Sequence, residues 1–410
     1  MDSSTGGSLK ALRRANQERV LRLLLTGGPI HRAEIARRLD VSRATVSTIV
    51  GEMLDRGVLV PSEAPRGTDS DGRVRELVAL HPHTGIAAGL GFTRDHAAVH
   101  LTDLEHHTIA ALSASTDPAA DAHERIEAGA ALLKQALDSC GLERENLLGL
   151  GVGVPGQVRV DTGYVGRSLP GQPWAERNVK EMFEHALGME VMLDNNTRLE
   201  GVAEYLWGAG ERATTMLYVT LSSGIGSALL DHGAPFRGRL GASGELGHMS
   251  VDFDGPVCPC GNRGCLVQKA GAPAILAELA PLLGPDATIT DVVAAARAGQ
   301  RPVLSVLTDV ATLVGRMLAN VCNLLDPGRV VVGGPLSVLG DTVLDPIRTA
   351  IKRHALDAVA TETVVVPAAF EEGAASGARG GAALIVQSTP QIETILHRLT
   401  SRSPSFGNFQ

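Results

Sequence analysis

The sequence predicts an α/β protein: an N-terminal winged helix-turn-helix followed by a larger body of alternating strands and helices. Three observations carry that expectation. Helical apolar spacing over residues 9–54 gives way to a short pair of strand-like runs. From Ile86 onward, short β-like runs alternate with helical stretches, as α/β layers require. A chain of 410 residues also exceeds what one ordinary core serves, so two or three domains are expected.

The head is read in order. Residues 9–25 form a helix stopped by Thr26-Gly27-Gly28-Pro29. Helices at 32–39 and 43–54 follow, separated by Asp40-Val41-Ser42. Val58-Leu59-Val60 is a strand, 61–72 (PSEAPRGTDSDG) a turn-rich wing, and 73–80 (RVRELVAL) the returning strand. In the third helix Val46, Ile49, Val50 and Met53 share one stripe, which directs Ala44, Thr45, Ser47 and Thr48 outward near the helix start. A recognition helix reads base edges from that position. Ser42 is a natural N-cap, and Arg43 has the reach for a phosphate or a guanine edge. Arg66, Arg73 and Arg75 fall on or beside the wing, suited to phosphate or minor-groove contact. Double-stranded DNA is the partner this pattern predicts. Paired heads on an inverted repeat are expected, from a homodimer or dimer of dimers, because one head reads too few base pairs.

Charge agrees with that division. The chain carries a formal −8, but residues 1–81 sum to +3 and the remainder to −11. A mildly basic reader joined to an acidic body fits nucleic-acid contact through the head alone. Hydrophobic content of 44% with 20% charged residues excludes disordered and fibrous classes. The first ten residues are polar, and no stretch approaches about 18 apolar residues, so a cytoplasmic location without a membrane partner is expected.

In the body, strands are expected at 148–154, 216–221 and 330–332, and helices at 123–138, 178–187, 199–208 and 303–325. Residues 81–85 read as the linker, giving a head over 1–82, a body over 86–387 and a tail over 388–410. The segment 244–265 (GELGHMSVDFDGPVCPCGNRGC) gathers Cys258, Cys260 and Cys265, with His248 ten residues upstream of the first thiol. Five cysteines in so long a chain do not make a disulfide framework, and three so close together suit a metal. Zn²⁺ favours a closed tetrahedral Cys/His set, so a structural zinc is expected; three free thiols in a surface loop are the alternative.

With that loop in view, the chain resembles the ROK family of sugar kinases and sugar-responsive repressors over nearly its whole length. The motifs are 150–158 (LGVGVPGQV), 222–227 (SSGIGS), GELGH, CPCGNRGCL, 330–335 (VVVGGP) and 373–383 (GAASGARGGAA), in order. The resemblance implies a two-lobed actin-like ATPase fold for the body, and the head implies the repressor branch.

Departures from the family pattern bear on activity. The resemblance implies an Asp-x-Gly-Gly-Thr phosphate loop, where this chain has Gly89-Leu90-Gly91-Phe92-Thr93. The acid is missing at Gly89, and Phe92 is expected to set a ring where backbone would approach phosphate. The family's Glu-Asn-Asp motif aligns with Asp194-Asn195-Asn196, which puts an amide at the catalytic base; losing such a base lowers rates roughly 10²–10⁴-fold. No kinase activity is therefore expected. Asn195, Asn196, Glu245 and His248 match positions implied to contact sugar hydroxyls, although Val267 replaces a further acid. Three readings follow: a sugar- or metabolite-responsive repressor, a DNA-binding protein whose body only dimerises or docks partners, and an active sugar kinase in which another carboxylate, such as Asp194, serves as base.

Overall fold

The computed structural model describes residues 5–27, 29–62, 77–81, 85–104, 106–166, 172–210, 213–370 and 373–388. The head comprises α1 (Thr5–Gly27), β1 (Ile30–His31), α2 (Arg32–Leu39), α3 (Arg43–Asp55), β2 (Leu59–Ser62) and β3 (Leu77–Leu80). β3 pairs antiparallel with both β2 and β1 in a three-stranded sheet. The expected α3 stripe is the buried one: Val46, Ile49, Val50 and Met53 pack with Leu21, Ile35 and Leu59. Asp40 closes α2 in the left-handed conformation at φ 52°, which lets the chain turn sharply into α3. Two differences from expectation stand out. α1 is longer than 9–25 at both ends, and β1, with two residues, exists only through its pairing with β3.

The first lobe is built on a five-stranded sheet. β4 (Ile86–Phe92), β5 (His96–Thr102) and β6 (Thr108–Ser115) form an antiparallel meander, followed by α4 (Ala122–Ser139). β7 (Leu147–Val154) and, after α5 (Val179–Leu187), β11 (Val191–Asn195) add in parallel, giving the order β11-β7-β4-β5-β6. Three two-residue strands, β8 (Val158–Arg159), β9 (Tyr164–Val165) and β10 (Arg177–Asn178), make a small accessory sheet. α6 (Asn196–Trp207) leads to the second lobe. There β12 (Thr215–Leu221), β13 (Ile225–Asp231), β14 (Ala234–Pro235), β15 (Arg329–Gly333) and β16 (Val364–Pro367) form a sheet of order β14-β13-β12-β15-β16. α7 (Val267–Ala270), α8 (Ala272–Leu283), α9 (Ile289–Arg297), α10 (Arg301–Leu325), α11 (Asp341–His354) and α12 (Asp357–Glu362) complete that lobe. Among the described residues α10 alone is long and apolar enough to cross a membrane, but half of its most apolar stretch is buried in this lobe.

The last described helix, α13 (Ala374–Gln387), leaves the second lobe and lies on the first sheet against β4, β5, β7 and α6. Its approach is backbone to backbone. A Cβ added at Gly89 would sit 1.8 Å from the Ala378 carbonyl oxygen, and one at Gly151 would sit 2.1 Å from that of Gly381. α6 and α13 thus form an inner layer, with α6 also reaching Tyr218 and Ala228 of the second sheet.

Candidate functional site

On the head, Ser42, Arg43, Ala44, Ser47 and Thr48 are exposed along the start of α3, and Thr45 is half-buried. The Ser42 hydroxyl accepts from the Thr45 backbone N–H at 3.1 Å and lies 2.8 Å from the Thr45 hydroxyl, so both residues serve the cap. Thr48 Oγ1 donates to the Ala44 carbonyl at 3.0 Å, which leaves its lone pairs for a ligand. Arg43 makes no ion pair among the described residues. Arg66, Arg73 and Arg75 lie outside them.

Where β11 meets α6, the place at which the family resemblance implies a sugar cleft between the lobes, Asn195 caps α6: its Oδ1 accepts from the Thr197 and Arg198 N–H groups, and its Nδ2 donates to the Gly156 carbonyl at 2.8 Å. Asn196 Nδ2 donates to the Phe92 carbonyl at 2.6 Å, whereas its buried Oδ1 has no donor. Phe92 therefore enters this region through its carbonyl. Its ring is fully buried and packs 5.4 Å from Trp174 and 5.5 Å from Phe183, on the opposite face of the sheet. The ring expected at the phosphate position is absent because strand residues alternate: Gly89 and Gly91 face α13, so Leu90 and Phe92 face the outer core.

Asp194 is fully buried and accepts from Arg198 Nε at 2.6 Å and Arg237 Nε at 2.8 Å. Arg198 also donates to the carbonyls of Gly241 and Val158, at 3.0 and 3.1 Å. One carboxylate thereby ties β11, α6 and the loop after β14 together. Neither arginine is apparent in a motif; Arg198 sits among the buried residues of α6, which also include the charged Glu200 and Glu204. Glu245 remains open to solvent but is crowded by protein. That partial desolvation raises its carboxyl above the usual value, against the opposing pull of His248 and Arg198. Gly244, at φ 93°, precedes it with no room for a side chain, since a Cβ there would fall 1.9 Å from the Ser227 carbonyl oxygen. Val267 begins α7 and is half-buried.

The four metal-binding candidates converge. One donor atom from each of His248, Cys258, Cys260 and Cys265 lies within 4.8 Å of the others. Cys258 Sγ is 3.7 Å from His248 Nδ1, and Cys260 Sγ is 3.7 Å from Cys265 Sγ. A zinc–sulfur bond of about 2.3 Å gives a tetrahedral edge of about 3.8 Å, so these spacings fit the ion. Burial, with the Cys260 and Cys258 thiols, pushes the Cys265 thiol up to about 12, so this group would ionise only beside a cation. Two neighbours support the cluster: Gln268 Nε2, outside the quoted motifs, approaches Cys258 Sγ at 3.7 Å, and Asn262 Nδ2, within CPCGNRGCL, donates to the His248 carbonyl at 3.3 Å.

Comparison with known proteins agrees with this anatomy. The ROK family profile matches residues 86–388, and that of the MarR family matches residues 14–68. A putative xylose repressor from Caldicellulosiruptor sp. (strain Rt8B.4) is 27% identical over 85% of this chain and 90% of its own. The DNA-binding transcriptional dual regulator NagC of Escherichia coli K12 is 26% identical over 91% and 93%. Among solved structures, a ROK family transcriptional regulator, described as a homolog of the E. coli MLC protein, superposes with a TM-score of 0.78 at 21% identity, covering 95% of this chain and 99% of that one. A ROK family glucokinase from Streptomyces griseus, in complex with glucose and AMPPNP, matches at 0.62 and 26% identity over 73% of this chain and 99% of its own.

Proposed function

The chain belongs to the ROK family, and on that premise we propose that it is a sequence-specific DNA-binding repressor controlled by a sugar or related metabolite. The observation that carries this is the exposed, capped start of α3 on a head whose other face is fully packed. The named relatives include xylose and N-acetylglucosamine repressors, which makes carbohydrates the effector class to test first. The reading divides the chain into a head over 1–82, an effector-binding body over 86–387 and a tail over 388–410. It places the protein in the cytoplasm as a homodimer or dimer of dimers on an inverted repeat. The experiment is selection of duplex DNA against the full-length chain, then titration with D-xylose, N-acetylglucosamine and a wider sugar panel. Failure to enrich any duplex overturns the DNA-binding reading. A fold-intact protein whose DNA affinity and melting temperature ignore every sugar supports the body as a dimerisation platform, a reading favoured by Asn195 already serving as a cap.

Kinase activity is not part of this reading. Gly89 has no space for an acid, Asn196 is an amide, and Asp194 is fully buried with an arginine on each oxygen, so it has no free oxygen to offer a substrate hydroxyl. Sugar binding would draw on Glu245, His248 and the unpaired Asn196 Oδ1, which needs a donor such as a hydroxyl. Structural zinc would be held by His248, Cys258, Cys260 and Cys265, fixing the loop that presents Glu245. About one zinc per chain is expected by metal analysis. Cys260→Ser should lose it and weaken any sugar response while the head stays folded; protein purified without chelator and free of zinc would refute the site.

A further inference from the structure

The head is not hung on a tether. Two residues of the body, Leu104 in the turn after β5 and Leu148 of β7, pack in the head's hydrophobic core with Leu21, Ile49 and Leu59. Gly85 seats the connecting chain directly on Leu148: a Cβ there would meet the Leu148 side chain at 2.3 Å. Leu148 also belongs to a second cluster, with Ala87, Ala382, Ile385 and Val386, and so joins the head to the C-terminal end of α13. At the other end of α13, a Cβ on Gly377 would lie 2.8 Å from Asn196 Oδ1, the cleft atom that lacks a donor. From Gly377 to Val386 the helix spans about 14 Å.

Between these ends the helix bears on β4, β7 and α6 almost wholly through glycine and alanine. Gly89, Gly91 and Gly151 meet its backbone, and its own Gly380 meets the Leu199 carbonyl. Interdigitated large side chains lock a helix in register. Backbone-to-backbone contact through small residues opposes a slide along the axis far less, which is the structural condition for shear. Building on the regulatory reading above, we propose that α13 transmits the state of the cleft at Asn196 to the DNA head, and that Leu148 is the positioning residue through which it does so. A ligand that engages Asn196 shifts α13 along its smooth bed. Ile385 and Val386 then move Leu148, and the head re-orients with it. The coupling is a difference in head placement between two states of one helix, and it needs no contact between ligand and DNA.

The route can be tested without knowing the ligand, by perturbing the cleft end of α13 and reading the head. Gly377→Ala forces a shift at Asn196 or in the helix itself. It is introduced into three full-length backgrounds: the natural chain, Leu148→Ala and Leu104→Ala, with Leu148→Val replacing the second if that does not fold. Each is read by affinity for a duplex selected on the natural chain and by amide exchange of residues 43–58. Gly377→Ala is expected to change the dissociation constant at least about 5-fold in the natural and Leu104→Ala backgrounds, and less than about 2-fold with Leu148→Ala. Leu104 enters the same head core without joining the α13 cluster, so equal loss in both backgrounds would mean generic loosening and would overturn the proposal. So would a folded Gly377→Ala protein with unchanged affinity and exchange. If the natural chain enriches no duplex, the functional reading fails while the exchange pattern across the three backgrounds still decides the coupling.

Discussion

Replacing Gly89 by alanine adds one methyl group and tests whether α13 closes the family's phosphate position. The new Cβ would lie 1.8 Å from the Ala378 carbonyl oxygen, 2.6 Å from the Ala382 nitrogen and 2.9 Å from the Ala378 carbonyl carbon. All three are backbone atoms of a buried helix, so no side-chain rotation relieves the overlap; the helix must retreat by roughly 1 Å along its length. Overpacking of this kind costs about 1–3 kcal/mol, and a rigid backbone neighbour puts Gly89→Ala at about 3 kcal/mol. The body's melting transition should fall by roughly 6–12 °C, read by calorimetry or near-UV circular dichroism. Gly51→Ala is the control. Gly51 lies within α3 with nothing within 4 Å of a new Cβ, so alanine there should raise head stability by up to about 1 kcal/mol. A Gly89→Ala protein melting within about 2 °C of the natural chain would refute the close approach. If the reasoning holds, Gly89→Asp yields a destabilised protein and no phosphate site.

Asp194→Asn should lower stability by about 3–5 kcal/mol, because it leaves the buried Arg198 without its counter-charge; unchanged urea unfolding would show that the carbonyls of Gly241 and Val158 suffice. His100 is buried on β5, and burial, aided by the Arg379 charge, lowers its pKa to about 4. Its folded value lies below the unfolded value of about 6.5, so its contribution is fully present above pH 6.5 and is lost as pH falls toward 4. Stability should drop by about 2 kcal/mol between pH 7 and 5, and His100→Gln should remove that slope; an identical slope in the variant would refute it.

The head was nearly complete in the sequence. Residues 32–39 fold as the expected helix, α3 runs one residue beyond 54, and its buried stripe is the one that apolar spacing picks out. Such elements are legible because their own periodicity decides them. β1 was not, since nothing local marks two residues that become a strand only against β3. α6 begins three residues before the expected 199 because Asn195, read for its motif position, is its cap. α13 shows the strongest override. GAASGARGGAA has poor helix propensity and stood out only as a glycine-rich motif, yet close approach to β4 and β7 makes small residues the ones a helix needs there. The four metal-binding candidates were legible from spacing and chemistry, whereas Arg237 acquires its place only when the loop after β14 meets Asp194, and no motif marks Arg198 four residues beyond that acid.

The return of α13 also sets a timetable for synthesis. The first sheet and α6 are complete in sequence by Trp207, but the helix that covers β4, β5 and β7 starts only at Ala374. At about 5–20 residues per second, the ribosome needs on the order of ten to thirty seconds to make the intervening chain. Through that interval the nascent lobe presents Gly89, Gly91, Gly151 and the inner side of Leu148 uncovered, while the second lobe is still being made. A transcript truncated before codon 374 would therefore damage the oldest part of the body rather than the youngest. It would leave the head resting on an unfinished sheet, a species for chaperones and proteases to find.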